Sequence, residues 1–274
     1  MDKITRFGMV QGRLTQSPPG CLQWFPQETW QDEFHIASDL GINYIELIAE
    51  TQHNQNNPIW TNDGIDRIKQ LVNNNNLTLH ALCNDYIVEH TLLDEGVIQQ
   101  NIDLIEQGKK LGVEKYIMPL FDSSELTVDN MSNYINPLRR IAISARDNNI
   151  TVCLETILTG EELIELLKLI DIPYVKAVYD TGNRVAFGHN LSKDIRLLGN
   201  YIGHVHIKDK NSGNENVLLG TGLVNFEQVF YALRDINYDG PFTFETTRGS
   251  SPVETAKYNM NLVNFFKRNA ELNV

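Results

Sequence analysis

Short apolar or β-branched runs alternate with longer stretches of helical period along the whole chain, and the pattern repeats eight times. The predicted strands are Arg6–Val10, Tyr44–Ile48, Leu77–Leu82, Tyr116–Leu120, Thr151–Glu155, Lys176–Tyr179, His204–Ile207 and Phe242–Glu245. Between them the predicted helices cover residues 27–40, 61–73, 95–111, 129–147, 160–169, 191–199, 225–236 and 252–269. Gly41 and Gly112 follow apolar helix ends, where a left-handed residue closes the last turn. Thr159-Gly160-Glu161-Glu162 has the Thr-x-x-Glu spacing of a capping box, which assigns Glu161 and Glu162 to helix capping rather than catalysis.

Strand and helix alternating with short links over 274 residues predict parallel strands joined by crossover helices. Eight repeats at this length match an α/β fold of the (β/α)8 TIM-barrel type, folded as a single domain over residues 1–274. A doubly wound open sheet is the alternative, but no Gly-x-Gly-x-x-Gly follows the first strand and no Walker-type phosphate loop appears. No linker rich in Pro, Gly or Ser divides the chain; the Asn-rich pieces Gln52–Asn57 and Asn73–Asn76 read as a surface loop and a helix-to-strand turn.

Such a barrel places its chemistry at the C-terminal mouth, so polar residues that end apolar strands carry the most information. Four consecutive strands end this way: Thr151-Val152-Cys153-Leu154-Glu155, Ala177-Val178-Tyr179-Asp180, His204-Val205-His206-Ile207-Lys208 and Phe242-Thr243-Phe244-Glu245. One carboxylate at a strand end is commonplace, because Asp and Glu also cap the helix that follows. Three carboxylates and an imidazole converging from strands five to eight repel one another unless a cation compensates, and a divalent metal resolves this most simply. Carboxylate and imidazole donors suit Mn, Mg, Co, Fe or Zn, and the lack of thiolate ligands removes the reason to expect structural zinc.

Charge and cysteine usage narrow the partners. With 23 Lys+Arg against 35 Asp+Glu the chain carries a formal −12, so it has no electrostatic reason to bind a phosphodiester backbone, and no nucleic-acid partner is expected. Cys21, Cys83 and Cys153 are widely and irregularly spaced, without a CxxC pair or an even disulfide set. Met1 to Arg6 lacks the apolar core of a signal peptide, and no apolar stretch approaches the roughly 18 residues of a span. A cytoplasmic protein without membrane attachment is the expectation.

The order Leu-Glu-Thr at 154–156, Tyr-Asp-Thr-Gly-Asn at 179–183, His-Val-His-Ile-Lys-Asp at 204–209 and Phe-Glu-Thr at 244–246 resembles the xylose isomerase-like TIM-barrel superfamily, from the first strand to the last helix. Asp180-Thr-Gly-Asn183 is most similar to its sugar-phosphate branch, of L-ribulose-5-phosphate 3-epimerase type. Carried over by position, the resemblance implies one divalent metal ion (Mn, Zn, Mg or Co) held by Glu155, Asp180, His206 and Glu245. It also implies that Glu155 and Glu245 act as an acid/base pair on opposite faces of a small ketose or ketose phosphate. Taking a proton from a carbon beside a carbonyl gives an enediolate, which a metal ion stabilises; returning it on the other face inverts that carbon, and returning it to the neighbouring carbon isomerises the sugar. A dehydratase or hydroxypyruvate-type isomerase on the same site, and a non-catalytic sugar-binding barrel, are the alternatives. Endonuclease IV-like repair requires additional metal-binding histidines, and Met118-Pro119-Leu120-Phe121-Asp122 supplies none. Barrels of this family are frequently dimers or tetramers, so a homo-oligomer is among the expectations.

Further residues are candidates for the substrate. Asn183 stands where epimerases of unphosphorylated ketohexoses often carry His; it can bond a sugar hydroxyl but cannot relay a proton at neutral pH. Lys208 continues the face of His206 towards the mouth, to meet a substrate oxygen or a ligand carboxylate. Arg13 and Arg248 are cations near the mouth able to grip phosphate in a bidentate way. Glu46 ends Tyr-Ile-Glu in the second strand, with either a sugar or a core hydrogen bond to the first strand as its partner. His80 and Asn84-Asp85 surround the end of strand three. His204 reads as a barrel-core or supporting imidazole, and Trp24, Phe25 and Trp30 as a lid or as loop packing.

Overall fold

Eight parallel strands close into a barrel in chain order in the computed structural model, which describes residues 5–272. They are β1 (Phe7–Val10), β2 (Tyr44–Ala49), β3 (Ala81–Asn84), β4 (Lys115–Pro119), β5 (Thr151–Glu155), β6 (Val175–Asp180), β7 (Ile202–Ile207) and β8 (Phe242–Phe244). Pairing of β1 with β8 through Phe7–Phe242, Gly8–Thr243 and Met9–Phe244 completes the ring. The helices are α1 (Asp32–Leu40), α2 (Asn62–Asn74), α3 (Tyr86–Glu89), α4 (Glu95–Leu111), α5 (Met131–Asp147), α6 (Gly160–Ile170), α7 (Thr181–Ala186), α8 (Leu191–Leu198), α9 (Phe226–Asp235) and α10 (Pro252–Leu272). The short α3 and α7 lie in the loops that leave β3 and β6.

The helices form where the 3.6-residue period of apolar positions says they should. α2 buries Ile65, Ile68 and Val72, and α5 buries Tyr134, Leu138, Ile141 and Ala145, each set on one stripe against the barrel. Gly41 and Gly112 end α1 and α4 with φ of 76° and 89°, and Thr159 with Glu162 forms the reciprocal capping box of α6. Residues 27–31 form turns, so α1 begins at Asp32 rather than at 27.

Strand three departs from its predicted range of Leu77–Leu82. Residues 77–80 are flanking backbone: Leu77 N–H closes onto Val72 O, Thr78 N–H bonds Asn43 O, and His80 O accepts from Glu114 and Lys115. The regular ladder begins at Ala81 and runs to Asn84, two residues further towards the mouth than predicted. This shift brings Asp85 to the mouth and leaves His80 at the opposite end of the barrel, which corrects the expectation that His80 faces substrate.

The barrel interior is polar at several levels. Gly8 lies in register with both Tyr44 and Thr243, and a Cβ there would come within 2.2 Å of the Tyr44 ring. Its absence lets the phenol enter the barrel and meet the Thr243 hydroxyl. Among the described residues no helix is long and apolar enough to cross a membrane, and Cys21, Cys83 and Cys153 are free thiols.

Candidate metal centre and active site

The last residues of β5 and β6, the fifth residue of β7 and the first residue beyond β8 deliver Glu155, Asp180, His206 and Glu245 to one point at the mouth. One ligand atom from each lies within 4.8 Å of the others. His206 Nδ1 is 3.7 Å from Glu155 Oε2, 3.9 Å from Asp180 Oδ2 and 3.3 Å from Glu245 Oε2. Glu155, Asp180 and His206 are buried, while Glu245 keeps a small exposed edge.

Behind His206 stands Glu46. Burial disfavours its charge, but His206 and His204 outweigh that cost and hold its carboxyl down to about 2, so it is an acceptor. Nε2 of His206 therefore donates to Glu46 Oε1 at 2.9 Å. His204 Nε2 lies 2.8 Å from the other oxygen of Glu46 and shares a hydrogen bond with Thr243 Oγ1 at 3.0 Å. Glu46 thus lies inside the barrel as the partner of two imidazoles, and its core bond is to strand seven.

His206 Nδ1 and Asp180 Oδ2 are both buried without a well-formed hydrogen bond and face the same point, with Glu245 and Lys208 as their ionic neighbours. Three carboxylates and an imidazole held by a carboxylate from behind make a donor set that fits a divalent cation. Burial pushes the Glu155 carboxyl up to about 7, with the charges of Asp180 and Glu245 adding to the effect. Asp180 is also raised by burial, against the pull of Lys208. Glu245, although equally desolvated, is held well below the usual carboxylate range by Lys208, His206 and Arg13.

Asp180 and Lys208 are locked together by the turn between β6 and α7. Lys208 Nζ is 3.1 Å from Asp180 Oδ2 and 2.7 Å from Glu245 Oε2, a salt bridge to the candidate ligands rather than a free cation at the mouth. The Thr181 hydroxyl donates to Lys208 O at 2.6 Å and accepts from Lys208 N–H at 3.0 Å. Gly182 gives the lysine stem its channel, since a Cβ there would sit 2.7 Å from Lys208 Cγ. Asn183 closes the motif: its N–H donates to Oδ1 of Asp180, the N-cap of α7, and its side-chain amide donates to Glu155 Oε1, both at 2.6 Å.

A cavity of about 210 Å³ opens in front of the cluster. Glu155, Asn183, His206 and Glu245 form its reactive side, Leu22, Val88 and Phe121 an apolar wall, and Gln23, Thr51, Cys83 and Asp85 a polar edge. Arg13 and Arg248 are not in its lining. Arg13 donates to Thr246 O and Gln23 Oε1 and lies 3.6 Å from Glu245. Arg248 donates to Gly12 O at 2.6 Å and Cys21 O at 3.0 Å, tying the loop after β8 to the loop after β1. Both guanidiniums tie loops together, and each keeps one buried nitrogen, Arg13 Nε and Arg248 Nη2, without a partner. His80 stacks near His204 at 5.9 Å and bonds Glu114 at 2.9 Å, away from the cavity.

Of the three aromatic residues expected near a lid, Trp30 is buried against Phe34 while Trp24 and Phe25 line an adjoining cavity of about 460 Å³. Gln23 and Phe121 carried no signal in the sequence, because loop residues have no period to betray their direction. A larger cavity, about 490 Å³, lies at the far end of β1 and β8 beside Arg6, Phe230 and Tyr238, remote from the carboxylate–imidazole cluster.

A family model described as the xylose isomerase-like TIM barrel matches residues 34–267. The L-ribulose 3-epimerase of Methylomonas sp. is 31% identical over 126 residues, 43% of this chain and 43% of that relative. A putative L-ribulose-5-phosphate 3-epimerase of Haemophilus influenzae is 23% identical over 254 residues, 82% of this chain and 87% of the relative. Among solved structures, D-psicose 3-epimerase from Clostridium cellulolyticum H10, determined with D-tagatose, superposes with a TM-score of 0.77 at 18% identity, covering 96% of this chain and 99% of that one.

Proposed function

The chain belongs to the xylose isomerase-like TIM barrel family, and from that premise we propose that it is a divalent-metal-dependent sugar epimerase acting at C3 of a small ketose by proton transfer between two carboxylates. The observation that carries this reading is that Glu155 and Glu245 line one cavity with His206 Nδ1 between them. The relatives, 3-epimerases of ribulose and psicose, support C3 as the reacting carbon.

Glu155, Asp180, His206 and Glu245 would hold the metal ion, which when bound polarises the substrate carbonyl and makes the neighbouring C–H more acidic. Lys208, His206 and Arg13 keep Glu245 ionised, so it is the group free to accept a proton. It takes the C3 proton, and the electrons of the broken C–H bond form a C2–C3 double bond while the carbonyl oxygen becomes an enediolate oxygen. Glu155, across His206 Nδ1 from Glu245, is the acid on the other side and returns a proton to C3. Asn183 holds the carboxylate of Glu155 in place through Oε1. Leu22, Val88 and Phe121 keep water from the intermediate.

Incubation of the Mn²⁺-loaded protein with ketoses in heavy water tests this reading. Deuterium at C3 of both epimers, lost in Glu155→Gln and Glu245→Gln, is the expected result. Absence of label with protein shown to contain metal would overturn it.

A further inference from the structure

The walls of the cavity carry information about charge. The reaction cavity and the adjoining cavity share Gln23, Thr51 and Asp85, so these residues stand at the border between the two. Neither lining contains a Lys or Arg among the described residues. Of the cations near the mouth, Arg13 donates to Thr246 O and Gln23, Arg248 to two backbone carbonyls, Lys208 pairs with Asp180 and Glu245, and Lys210 donates to Asn214 Oδ1, while Arg13 Nε and Arg248 Nη2 are buried without a partner.

Asp85 is the group that faces the border instead. It is 5% exposed, and its two oxygens accept from the Gln23 amide at 3.0 Å and the Cys83 thiol at 3.3 Å. Gln23 is itself held by Arg13 Nη2 at 2.6 Å, so the carboxylate is fixed in direction by a chain of side chains. A sugar hydroxyl has a proton to give to this carboxylate. A phosphate ester has close to two negative charges and only acceptor oxygens, and needs Arg, Lys or a row of N–H groups.

Building on the epimerase reading above, we propose that the site is selective for an unphosphorylated ketose, and that Asp85 is the specificity-determining residue that accepts a hydroxyl of the free sugar and repels a terminal phosphate. The L-ribulose-5-phosphate resemblance of the Asp180-to-Asn183 turn therefore concerns the metal end of the site and not the substrate's far end.

The test uses the Mn²⁺-loaded full chain with D-fructose, D-tagatose and L-ribulose, each compared with its terminal phosphate ester. Binding is followed by calorimetry and proton abstraction by deuterium uptake, for the native chain and for Asp85→Asn with folding checked by circular dichroism. The native chain is expected to prefer at least one free ketose over its ester by about 100-fold, and Asp85→Asn to reduce that preference about tenfold by weakening the free sugar and strengthening the ester. Equal or tighter binding of the ester by the native chain overturns the proposal, as does a loss in Asp85→Asn that is the same for both. If a free ketose binds and its ester does not, yet no deuterium is taken up, charge selection stands and the epimerase reading falls. If no ketose or ester binds, both fall.

Discussion

His206 Nε2 donates to Glu46 Oε1 across 2.9 Å, and this one bond decides which imidazole nitrogen is available at the mouth. With the proton kept on Nε2 when a metal ion is bound, the Nδ1 lone pair would face Glu155, Asp180 and Glu245. A carboxylate behind a ligating histidine fixes its tautomer and raises its basicity. Glu46→Leu is therefore expected to weaken Mn²⁺ binding by roughly 10–100-fold, measured by calorimetric titration. Glu46→Gln, which still offers an acceptor oxygen, should recover most of that loss. Equal affinity in all three proteins would show that Glu46 serves folding alone.

Metal content gives the most direct reading of the cluster. Purified protein is expected to hold about one divalent ion per chain, and His206→Ala and Asp180→Asn to lose it with unchanged circular dichroism. Glu155→Gln supplied with metal should lose roughly 10²–10⁴ in kcat. A native chain that binds no divalent ion after supplementation would sink the ligand assignment.

Much of this was legible beforehand, and the reasons are local. An apolar run ending in Glu155, Asp180 or Glu245 announces a buried strand with an acid at its tip, so fold and cluster share one signal. Strand three misled because Leu77-Thr78-Leu79 alternates as a strand does, although its backbone bonds are made to loops beside the ladder. Glu46 and His206 are 160 residues apart, and no local pattern encodes that pairing. Arg13 and Arg248 show a related limit: charge is visible in a sequence, but the carbonyl that will receive it is not.

His80 sets an acid limit. Burial is the largest influence on its ring and lowers its pKa from 6.5 to about 3; Glu114 beside it is two-thirds exposed, so water screens its opposing pull. Between those values the unfolded chain binds a proton that the folded chain does not. Stability from this group is thus full above pH 6.5 and lost as pH falls towards 3, by at most about 1.4 kcal/mol per pH unit. His80→Phe should flatten the fall in Tm between pH 6.5 and 4 relative to the native protein. Parallel curves would mean that other groups govern the acid limb.

Glu33 acts in the opposite sense. It accepts from the N–H groups of Gly12 and Leu14 at 2.8 and 3.0 Å, and burial pushes its carboxyl up to about 7. The folded chain keeps this proton above pH 4.5, so the contribution is full below 4.5 and lost as pH rises through about 7. Glu33→Gln should match the native chain near pH 4.5 and exceed it in Tm at pH 8. A Gln variant that is less stable by the same margin at both values would remove burial as the governing cause.

The fit of Lys208 past Gly182, with Thr181 gripping its backbone, has a consequence for how such a site can be inherited or rebuilt. The Asp-Thr-Gly-Asn turn and the His-Ile-Lys run behave as one interlocking part, although more than twenty residues of sequence separate Thr181 from Lys208. A methyl group at 182 would evict the ammonium from between two acids, and a bulky branched residue at 208 would find the channel already cut to a straight stem. An engineer moving this chemistry onto a different scaffold must transplant both strand ends as a matched pair.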